Sequence, residues 1–572
     1  MKGIGVSSGI AIGYVLKKEE TVQKIERKTI EDSGAEMKRL NEARQTSIAQ
    51  LDQIIQKMQQ ENRDEEAQIF EAHKMLVGDD IFFGEVEQMI LKEKVNAEWA
   101  LQVITDAYIK QFASFEDEYL RERQADLVDI RNRITKILLG IEEKEPDAVS
   151  DEMVIVAKDL APSDFAKMDL SKIIGFVTEK GSKTSHVSIM ARSYGVPAVV
   201  GVEAIFTKVK NGDAIIIDGE AGTVLLNPTA AELDTYQRKQ QKLQEFNTRL
   251  QALKDRETCS LDGKKFTIAA NISGPQDVDA VLANGGEGIG LYRTEFLFLD
   301  RDSFPSEEEQ FTVYKSVVEK MKGKPVVFRT LDVGGDKELP YLDIPPEDNP
   351  FLGFRAIRIC LANQELFRTQ LRALLRASKY GNLKIMFPMI SSLEELRAAK
   401  AQLKAVSAEL EKENIDFAED IEVGMMVEVP AAAMIAEIFA KEVDFFSIGT
   451  NDLIQYTTAV DRGNQRIAHL YTEYHPALFR LIQRIVDAAH QEDIWVGICG
   501  EAAANPRLAP IYAAMGVDEL SVDSKSILKI RWMLNNSSCL EMEKVIAQIM
   551  EMPTAEEIEA YLHKLNERIE LG

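Results

Sequence analysis

Eight short apolar runs, each followed by a helical pattern, occupy the chain from residue 266 onward and constrain its fold more than any other feature. Such runs are typical of buried strands, and the segments between them have the apolar spacing of amphipathic helices. Eight alternations over about 300 residues favour a (β/α)8 barrel, which we expect to span residues 257–572. The runs read FTIAANI, GIGLY, PVVFR, KIMFPMI, VGMMVEV, DFFSIG, IWVGIC and ELSVD.

The preceding part of the chain has a different pattern, in which a helical block interrupts an α/β arrangement. Residues 1–28 and 144–228 contain glycine-rich and apolar strand-like runs, and we expect them to form one α/β domain. Residues 29–143 are acid-rich and predict four inserted helices, with His73 on an apolar face as packing or partner surface. Residues 229–256 predict a linker helix. The fold class is therefore multidomain α/β, because 572 residues exceed one ordinary domain.

Charged and polar residues follow the ends of many predicted barrel strands, where the active sites of such barrels lie. Arginine grips phosphate and carboxylate in bidentate fashion, and carboxylate oxygens suit Mg²⁺. Each residue alone could be an ordinary loop residue, but together they predict a site for a small phosphorylated carboxylic acid with Mg²⁺. The residues are Arg293, Arg329, Asp332, Glu428, Asn451, Asp452, Cys499 and Glu501, with Arg355 and Arg462 in long loops.

A second candidate site lies in the segment KTSHVSIMARSYGVPAVVG, residues 183–201. A helix is expected to begin at His186, with Thr184 or Ser185 as its cap, and to end near Gly195. The positive end of the helix dipole disfavours imidazolium and favours an attached phosphoryl anion, which makes His186 a candidate nucleophile. The alternative of an ordinary packed or surface histidine stays open. The candidate counter-charges are Lys183 and Arg192.

Charge and composition bear on the partners and the location of the chain. The formal net charge of −26 disfavours nucleic acid and anionic membranes and favours a basic protein partner. No run approaches the roughly 18–20 apolar residues that span a membrane, so no membrane insertion is expected. The N-terminus lacks the apolar core of a signal peptide. Four scattered cysteines without a CxxC pair fit a reducing cytosol, and a cytoplasmic location is expected.

These segments resemble the phosphoenolpyruvate-utilising enzymes over essentially the whole chain. The segment around His186 is similar to their phosphohistidine segment. The inserted helical block resembles the block with which the Enzyme I branch of that family, which serves bacterial sugar phosphotransferase systems, holds the phosphocarrier protein HPr. The segments similar to the family's phosphoenolpyruvate-binding barrel are GIGLYRTEFLF, FRTLDVGGDK, NPFLGFRAIR, MVEVPAA, FFSIGTNDLIQYTTAVDR and GICGEAAANP.

The resemblance implies an activity and a role for each candidate residue. The α/β domain would be a swivel domain whose His186 takes the phosphoryl group of phosphoenolpyruvate, releasing pyruvate, and passes it to a histidine of HPr as the first step of sugar uptake. Glu428 and Asp452 would ligate Mg²⁺, and Cys499 would donate a proton to the methylene carbon. The family is dimeric through its barrel, so a homodimer is expected. Phosphoenolpyruvate would be bound by Arg293, Arg329, Arg355, Asn451 and Arg462.

One segment departs from the family pattern, because Gly181-Ser182-Lys183 stands where Gly-Gly-Arg usually precedes Thr-Ser-His. Lysine keeps the charge but loses the guanidinium fork, so the effect on transfer stays open. Two alternatives to the implied activity remain. A dikinase-like fragment served by a separate nucleotide-binding protein is disfavoured by the lack of a nucleotide loop. A regulatory relative that senses phosphoenolpyruvate without turnover is disfavoured by the complete set of barrel residues.

Overall fold

The computed structural model divides into two compact units, Met1–Phe246 and Asn247–Gly572. The first unit contains a sheet and a block of helices, and the second contains a closed barrel. Among the described residues, no helix combines the length and the apolar character needed to cross a membrane. The structure describes residues 1–18, 25–60, 64–113, 118–141, 152–165, 168, 172–182, 185–299, 301–335, 337, 339, 341–342, 344–464 and 466–570.

A mixed sheet forms the α/β part of the first unit. Its strands, over the described residues, are β1 Ile4–Ser7, β2 Ile10–Lys18, β3 Met153–Ala157, β4 Ile173–Thr178, β5 Ala198–Val200, β6 Ala214–Asp218 and β7 Thr223–Leu226. The order across the sheet is β1-β5-β4-β3-β2-β6-β7, and β2, β3, β4 and β5 are parallel. The central strand β3 is buried along its whole length because both faces of the sheet are covered. The predicted hairpin of β6 and β7 is confirmed.

The helical block is inserted between the neighbouring strands β2 and β3. Within the described residues it comprises α1 Ser33–Gln60, α2 Asp64–Gly78, α3 Asp80–Glu93, α4 Ala97–Ala113 and α5 Glu118–Leu138. The prediction of four helices is therefore wrong, and α3 is the helix that it omitted. Asp79 starts this helix by accepting hydrogen bonds from the backbone N–H groups of Ile81 and Phe82. The side chains of Phe83 and Ile90 then bury the inner face of α3 in the core of the block.

The helices that accompany the sheet are α6 Pro162–Phe165, α7 His186–Tyr194 and α8 Ile205–Lys208. They are followed by α9 Ala230–Gln251, which confirms a helix in the predicted linker segment and has no buried residue. Lys239 of α9 pairs with Asp218 of the sheet at 2.6 Å. Beyond the end of α9, the buried Arg531 donates to the backbone carbonyl of Lys254 at 2.9 Å. The role of this segment as a linker stays a prediction.

A closed barrel of eight parallel strands, counted over the described residues, forms the core of the second unit. All eight predicted runs form its strands, because alternating helices cover the outer face and most residues of the strands are apolar. The prediction of a (β/α)8 barrel is thus confirmed. The strands are β8 Thr267–Ile272, β9 Gly288–Arg293, β10 Val326–Arg329, β11 Leu383–Phe387, β12 Val423–Val427, β13 Phe445–Ile448, β14 Trp495–Ile498 and β15 Glu519–Val522.

The helices of the second unit pack around the barrel. Their inner faces join the barrel strands in one large apolar core. The helices are α10 Val278–Ala283, α11 Glu307–Lys320, α12 Ile357–Ala362, α13 Gln364–Ser378, α14 Leu393–Lys412, α15 Pro430–Met434, α16 Ala436–Phe439, α17 Thr450–Thr458, α18 Pro476–Gln491, α19 Ala509–Met515, α20 Ile527–Asn535, α21 Cys539–Glu551 and α22 Ala555–Glu570.

Glu519 is a buried carboxyl at the start of β15, at the end of the barrel away from the strand C-termini. Gly290 leaves the space that this carboxyl fills, since a Cβ on Gly290 would lie 2.4 Å from Glu519 Oε1. Burial raises the pKa of Glu519 to about 7, against the opposing charge of Lys384. The folded protein therefore binds this proton more tightly than the unfolded chain does.

We expect Glu519→Gln to stabilise the barrel at high pH and to change little at low pH. In the parent, the stability linked to the protonated carboxyl is complete below the unfolded pKa of 4.5 and is lost as pH rises through about 7. The variant should therefore gain up to about 3 kcal/mol at about pH 8. Calorimetric unfolding of both proteins at about pH 5 and about pH 8 measures this gain. An identical pH dependence in the two proteins would contradict it.

Candidate active site

Two buried arginines converge on one carboxylate at the C-terminal rim of the barrel. Arg329 ends β10 and is 6 % exposed, and Arg355 lies in the following loop and is 2 % exposed. Arg329 Nη1 lies 2.8 Å from Asp332 Oδ2, and Arg355 Nη2 donates to Asp332 Oδ1 at 3.0 Å. Burial alone would raise the pKa of Asp332, but the two guanidinium groups hold it well below its usual range. The cluster keeps both arginines fixed and charged.

Two further residues of this cluster were not identified from the sequence. Glu295, two residues beyond β9, is fully buried and accepts from Arg329 Nη2 at 2.6 Å. Lys337 Nζ donates to the same Glu295 oxygen at 2.8 Å and lies 3.7 Å from Asp332. Both residues belong to the segments GIGLYRTEFLF and FRTLDVGGDK, which resemble the family's barrel. The position of Glu295 just after a barrel strand is the sequence signal that could have identified it.

Glu428 and Asp452 are the two predicted metal ligands. Both are buried, and their negative charges repel each other. Glu428 follows β12, and its Oε1 accepts from the backbone N–H of Met389 at 2.6 Å. Burial, followed by the repulsion of Asp452 and Asp332, raises the pKa of Glu428 to about 8. Gly449 leaves room beside this carboxyl, since a Cβ there would lie 2.9 Å from Glu428 Oε2. It is therefore unfavourable for Glu428 and Asp452 both to be ionised without a cation between them.

Asp452 lies in the first turn of α17, with Oδ2 3.5 Å from Arg355 Nη2. Its Oδ1 is buried and has no hydrogen-bond partner among the described residues. Within the part of the chain that the structure describes, no group of three or more His, Cys, Asp or Glu side chains is arranged to hold a metal. Mg²⁺, however, binds through one or two protein carboxylates and completes its shell with water and substrate oxygens. The unpaired oxygen of Asp452 and the repelled carboxyl of Glu428 fit such an ion.

The remaining predicted rim residues lie around the same end of the barrel. Arg293 ends β9 and lies directly beside Arg329 in the pairing of β9 with β10. Asn451 Oδ1 accepts from the backbone N–H of Glu501 at 3.0 Å. The hydroxyl of Tyr471 donates to the carbonyl of Asn451 at 3.2 Å. Burial raises the pKa of Tyr471 to about 12, and the nearby positive charge of Arg462 opposes this rise. The structure therefore brings the predicted arginines and carboxylates together on one rim.

Cys499 follows β14 and is buried in the barrel interior just below this rim. Its Sγ lies 3.7 Å from the carbonyl oxygen of Ile448. Burial raises the pKa of the Cys499 thiol to about 11, against the opposing effects of Ser447 and the charge of Arg329. A thiol with this pKa is protonated at neutral pH and carries a proton that it can donate.

His186 is the first residue of α7, as predicted, and its side chain is 21 % exposed. Ser185 occupies the N-cap position, as predicted, although its side chain makes no capping hydrogen bond. Its hydroxyl instead donates to the carbonyl of Ser182 at 3.0 Å, which closes the loop before the helix. The backbone N–H of Ser188 donates to the carbonyl of Ser185 at 2.9 Å, and the positive end of the helix at this start favours an anion on the histidine ring.

Two further residues bear on the expectations for His186. Arg192 lies in the last turn of α7, and its Nη1 donates to the carbonyl of Val6 at 3.5 Å; its role as a counter-charge stays a prediction. His73 is buried, which confirms its interpretation as a packing residue, and its Nε2 lies 3.1 Å from Asp126 Oδ1. The predicted counter-charge Lys183 and the alternative cap Thr184 lie outside the described residues.

Comparison with known proteins identifies the family of this chain. Three family models match: PEP-utilising enzyme, N-terminal, over residues 2–123; PEP-utilising enzyme, mobile domain, over residues 149–222; and PEP-utilising enzyme, PEP-binding domain, over residues 247–539. The phosphoenolpyruvate-protein phosphotransferase of Priestia megaterium is 48% identical over 558 residues, covering 98% of this chain and 97% of the relative.

The protein of the same description from Bacillus subtilis (strain 168) is 48% identical over 562 residues, covering 98% of this chain and 99% of the relative. Among solved structures, an NMR solution structure of Enzyme I (nEIt) is 37% identical, covers 43% of this chain and 99% of that chain, and gives a TM-score of 0.36. The identity and coverage of the curated relatives show that the chain belongs to the family of phosphoenolpyruvate-protein phosphotransferases.

Proposed function

We propose that this protein transfers the phosphoryl group of phosphoenolpyruvate to its own His186 and then to a histidine of an HPr-type phosphocarrier protein. The observation that carries the proposal is the rim of the barrel, where buried arginines surround carboxylates with an unpaired oxygen. Such a site suits a small, highly anionic ligand and its counter-ion. The second support is a histidine placed at the start of α7, where a phosphoryl anion is favoured.

The arginines of the rim would bind phosphoenolpyruvate through its phosphate and carboxylate groups. The Nε atoms of Arg329 and Arg355 are buried and have no hydrogen-bond partner among the described residues, so each arginine keeps an unused donor at the rim. Arg293 and Arg462 add positive charge, and the side-chain amide of Asn451 adds a donor. Because Asp332 and Glu295 hold the arginines in place, little ordering is required when the substrate binds.

Glu428 and Asp452 would hold Mg²⁺, which when bound neutralises charge on the phosphoryl oxygens. Around it, the fixed guanidinium groups stabilise the charge that spreads over these oxygens during transfer. A ring nitrogen of His186 attacks phosphorus, forming a P–N bond as the P–O bond of phosphoenolpyruvate breaks. The enolate that leaves is protonated at its methylene carbon by the Cys499 thiol, which gives pyruvate.

The helical block of residues 29–143 would dock the phosphocarrier protein, beside the α/β domain of residues 1–28 and 144–228. The chain's net charge of −26 suits a basic carrier. Residues 229–256 would serve as the linker that lets the α/β domain swivel between the carrier and the barrel, residues 257–572. The protein would act as a homodimer through the barrel, in the cytoplasm, at the first step of sugar uptake; its four free cysteines fit that compartment.

The test is incubation with phosphoenolpyruvate labelled in its phosphoryl group, with and without HPr, followed by detection of acid-labile label on each protein. The proposal expects label on His186 alone, and its passage to HPr when HPr is added. Label that requires a separate nucleotide-binding protein would favour a dikinase-like fragment. Binding of phosphoenolpyruvate without any labelled protein would favour a regulatory relative without turnover.

We expect Cys499→Ala to slow pyruvate formation by about 10²–10⁴-fold, the usual contribution of a positioned general acid. Water would then protonate the enolate equally from both faces of its plane. The reaction in deuterated water with a stereospecifically labelled methylene group reads this out, because the methyl group of pyruvate should lose its chirality in the variant. Cys259→Ala, in the same unit and away from the rim, is the matched control. Retained face selectivity in Cys499→Ala would exclude Cys499 as the donor.

A further inference from the structure

His186 faces a buried chain of ionisable side chains that the transfer steps above do not use. Its Nε2 lies 3.4 Å from Asp126 Oδ1, and the same oxygen lies 3.1 Å from His73 Nε2. On the far side, Asp129 Oδ2 lies 3.6 Å from His73 Nδ1. Asp129 Oδ1 accepts from Ser163 Oγ at 2.5 Å. The chain therefore starts and ends on the α/β domain and passes through helices α2 and α5 of the helical block.

Asp126 is fixed in this position. Its side chain is 2 % exposed, and its bond to the equally buried His73 prevents it from turning toward water. Asp126 and Asp129 are three residues apart on α5, so both carboxylates lie on the same face of that helix. A charge that forms on the His186 ring consequently meets a carboxylate that is neither screened by solvent nor free to move away.

A carboxylate at this distance attracts the N–H group of an imidazole ring but repels a phosphoryl dianion. Phosphorylation of His186 thus replaces a favourable contact with an unfavourable one, or forces the ring to leave Asp126. We propose that Asp126 destabilises phosphorylated His186 relative to the free imidazole, and so favours departure of the phosphoryl group to an acceptor. This inference rests on the proposed function and assigns a role to a residue outside the metal and substrate sites.

The reaction whose equilibrium Asp126 affects needs no reactant besides phosphoenolpyruvate and His186. In the forward direction the P–O bond of phosphoenolpyruvate breaks and the P–N bond at His186 forms. The imidazole gives up its N–H proton overall, and the methyl group of pyruvate gains one proton. Asp126 takes no part in these bond changes. It alters the free energy of the phosphorylated protein, and therefore the equilibrium constant as well as the rates.

The experiment measures the ratio of phosphorylated to free protein at known concentrations of phosphoenolpyruvate and pyruvate, with Mg²⁺ and label in the phosphoryl group. We expect Asp126→Asn to raise the equilibrium constant for phosphorylation by about tenfold, because the amide keeps the shape and removes the charge. Asp106→Asn is the matched control: Asp106 is a half-exposed carboxylate of the same block, paired with Arg131 at 2.9 Å. Its constant should stay within about twofold of the parent's.

An unchanged or lowered constant in a folded Asp126→Asn variant overturns the inference. If circular dichroism shows that the variant is unfolded, the parent protein provides the test. Its six histidines are then compared in ¹⁵N spectra recorded before and after phosphorylation. The ring nitrogens of His73, assigned with His73→Gln, should shift because they share the Asp126 oxygen with His186; unchanged His73 signals overturn the inference too. A parent that takes no label at all refutes the proposed function instead, which is a separate result.

Discussion

Replacing His186 by alanine should abolish phosphorylation of the protein by phosphoenolpyruvate while leaving the affinity for phosphoenolpyruvate unchanged. The reason is that the two parts of the reaction rest on different units of the chain. His186 belongs to the unit Met1–Phe246, whereas Arg329, Arg355 and Asp452 belong to the unit Asn247–Gly572. Labelled phosphoenolpyruvate measures the phosphorylation, and isothermal titration calorimetry with Mg²⁺ measures the binding.

The matched control for this variant is His490→Ala. His490 is a half-exposed histidine near the end of α18, where its Nε2 contacts Asp518 at 3.1 Å, away from the strand C-termini. It should retain both phosphorylation and binding. A parallel loss of binding in His186→Ala would contradict the separation of nucleophile and substrate site. Label remaining on the His186→Ala protein would show that another residue is the acceptor.

The second large effect is expected from the paired carboxylates. Glu428→Gln and Asp452→Asn should each slow phosphoryl transfer by about 10²–10³-fold, since a bound metal supplies several kcal/mol of charge stabilisation and each 1.4 kcal/mol is worth a factor of ten. Each variant keeps the shape of the side chain and removes one of the few protein ligands that Mg²⁺ would have. The measurement is the initial rate of self-phosphorylation across a series of Mg²⁺ concentrations.

Asp487→Asn serves as the control for these variants, because Asp487 is an exposed carboxylate of α18 that accepts from Gln483 at 2.8 Å. Its rate should follow the parent at every Mg²⁺ concentration. The two ligand variants should instead need more Mg²⁺ for half-maximal rate. A variant that keeps the parental rate at limiting Mg²⁺ would remove its residue from the metal site.

The barrel and its rim were predictable because they rest on local signals. Eight apolar runs mark the strands, and the geometry of a parallel barrel brings the residues after them to one end. Arg329 and Glu428 could therefore be assigned to one rim without knowledge of their contacts. The same logic applied to Glu295, but a single acidic residue among many in an acidic chain gave no reason to select it.

The chain of buried side chains behind His186 was not predictable in this way. His73, Asp126 and Asp129 come from two helices of the block, and only the packing of those helices against the α/β domain brings them to His186. In the sequence, His73 lies among apolar residues of α2 and has the pattern of a core residue. Helix α3 was omitted because only one residue, Asp79, separates it from α2, although Gly78 and Asp79 are residue types that end and begin helices.

The pairing of β2 with β3 also determines the order in which this chain can fold during synthesis. Residues Tyr14 to Lys18 pair with Met153 to Ala157, and the other neighbour of β2 is β6, at Ala214–Asp218. During synthesis, β2 therefore leaves the ribosome long before β3 and β6, and both of its edges lack a hydrogen-bonded neighbouring strand until those strands are made. The helices between Ser33 and Leu138 make their contacts with one another and can pack first. The helical block of the nascent chain can therefore fold before the sheet of the α/β domain, to which His186 belongs, is complete.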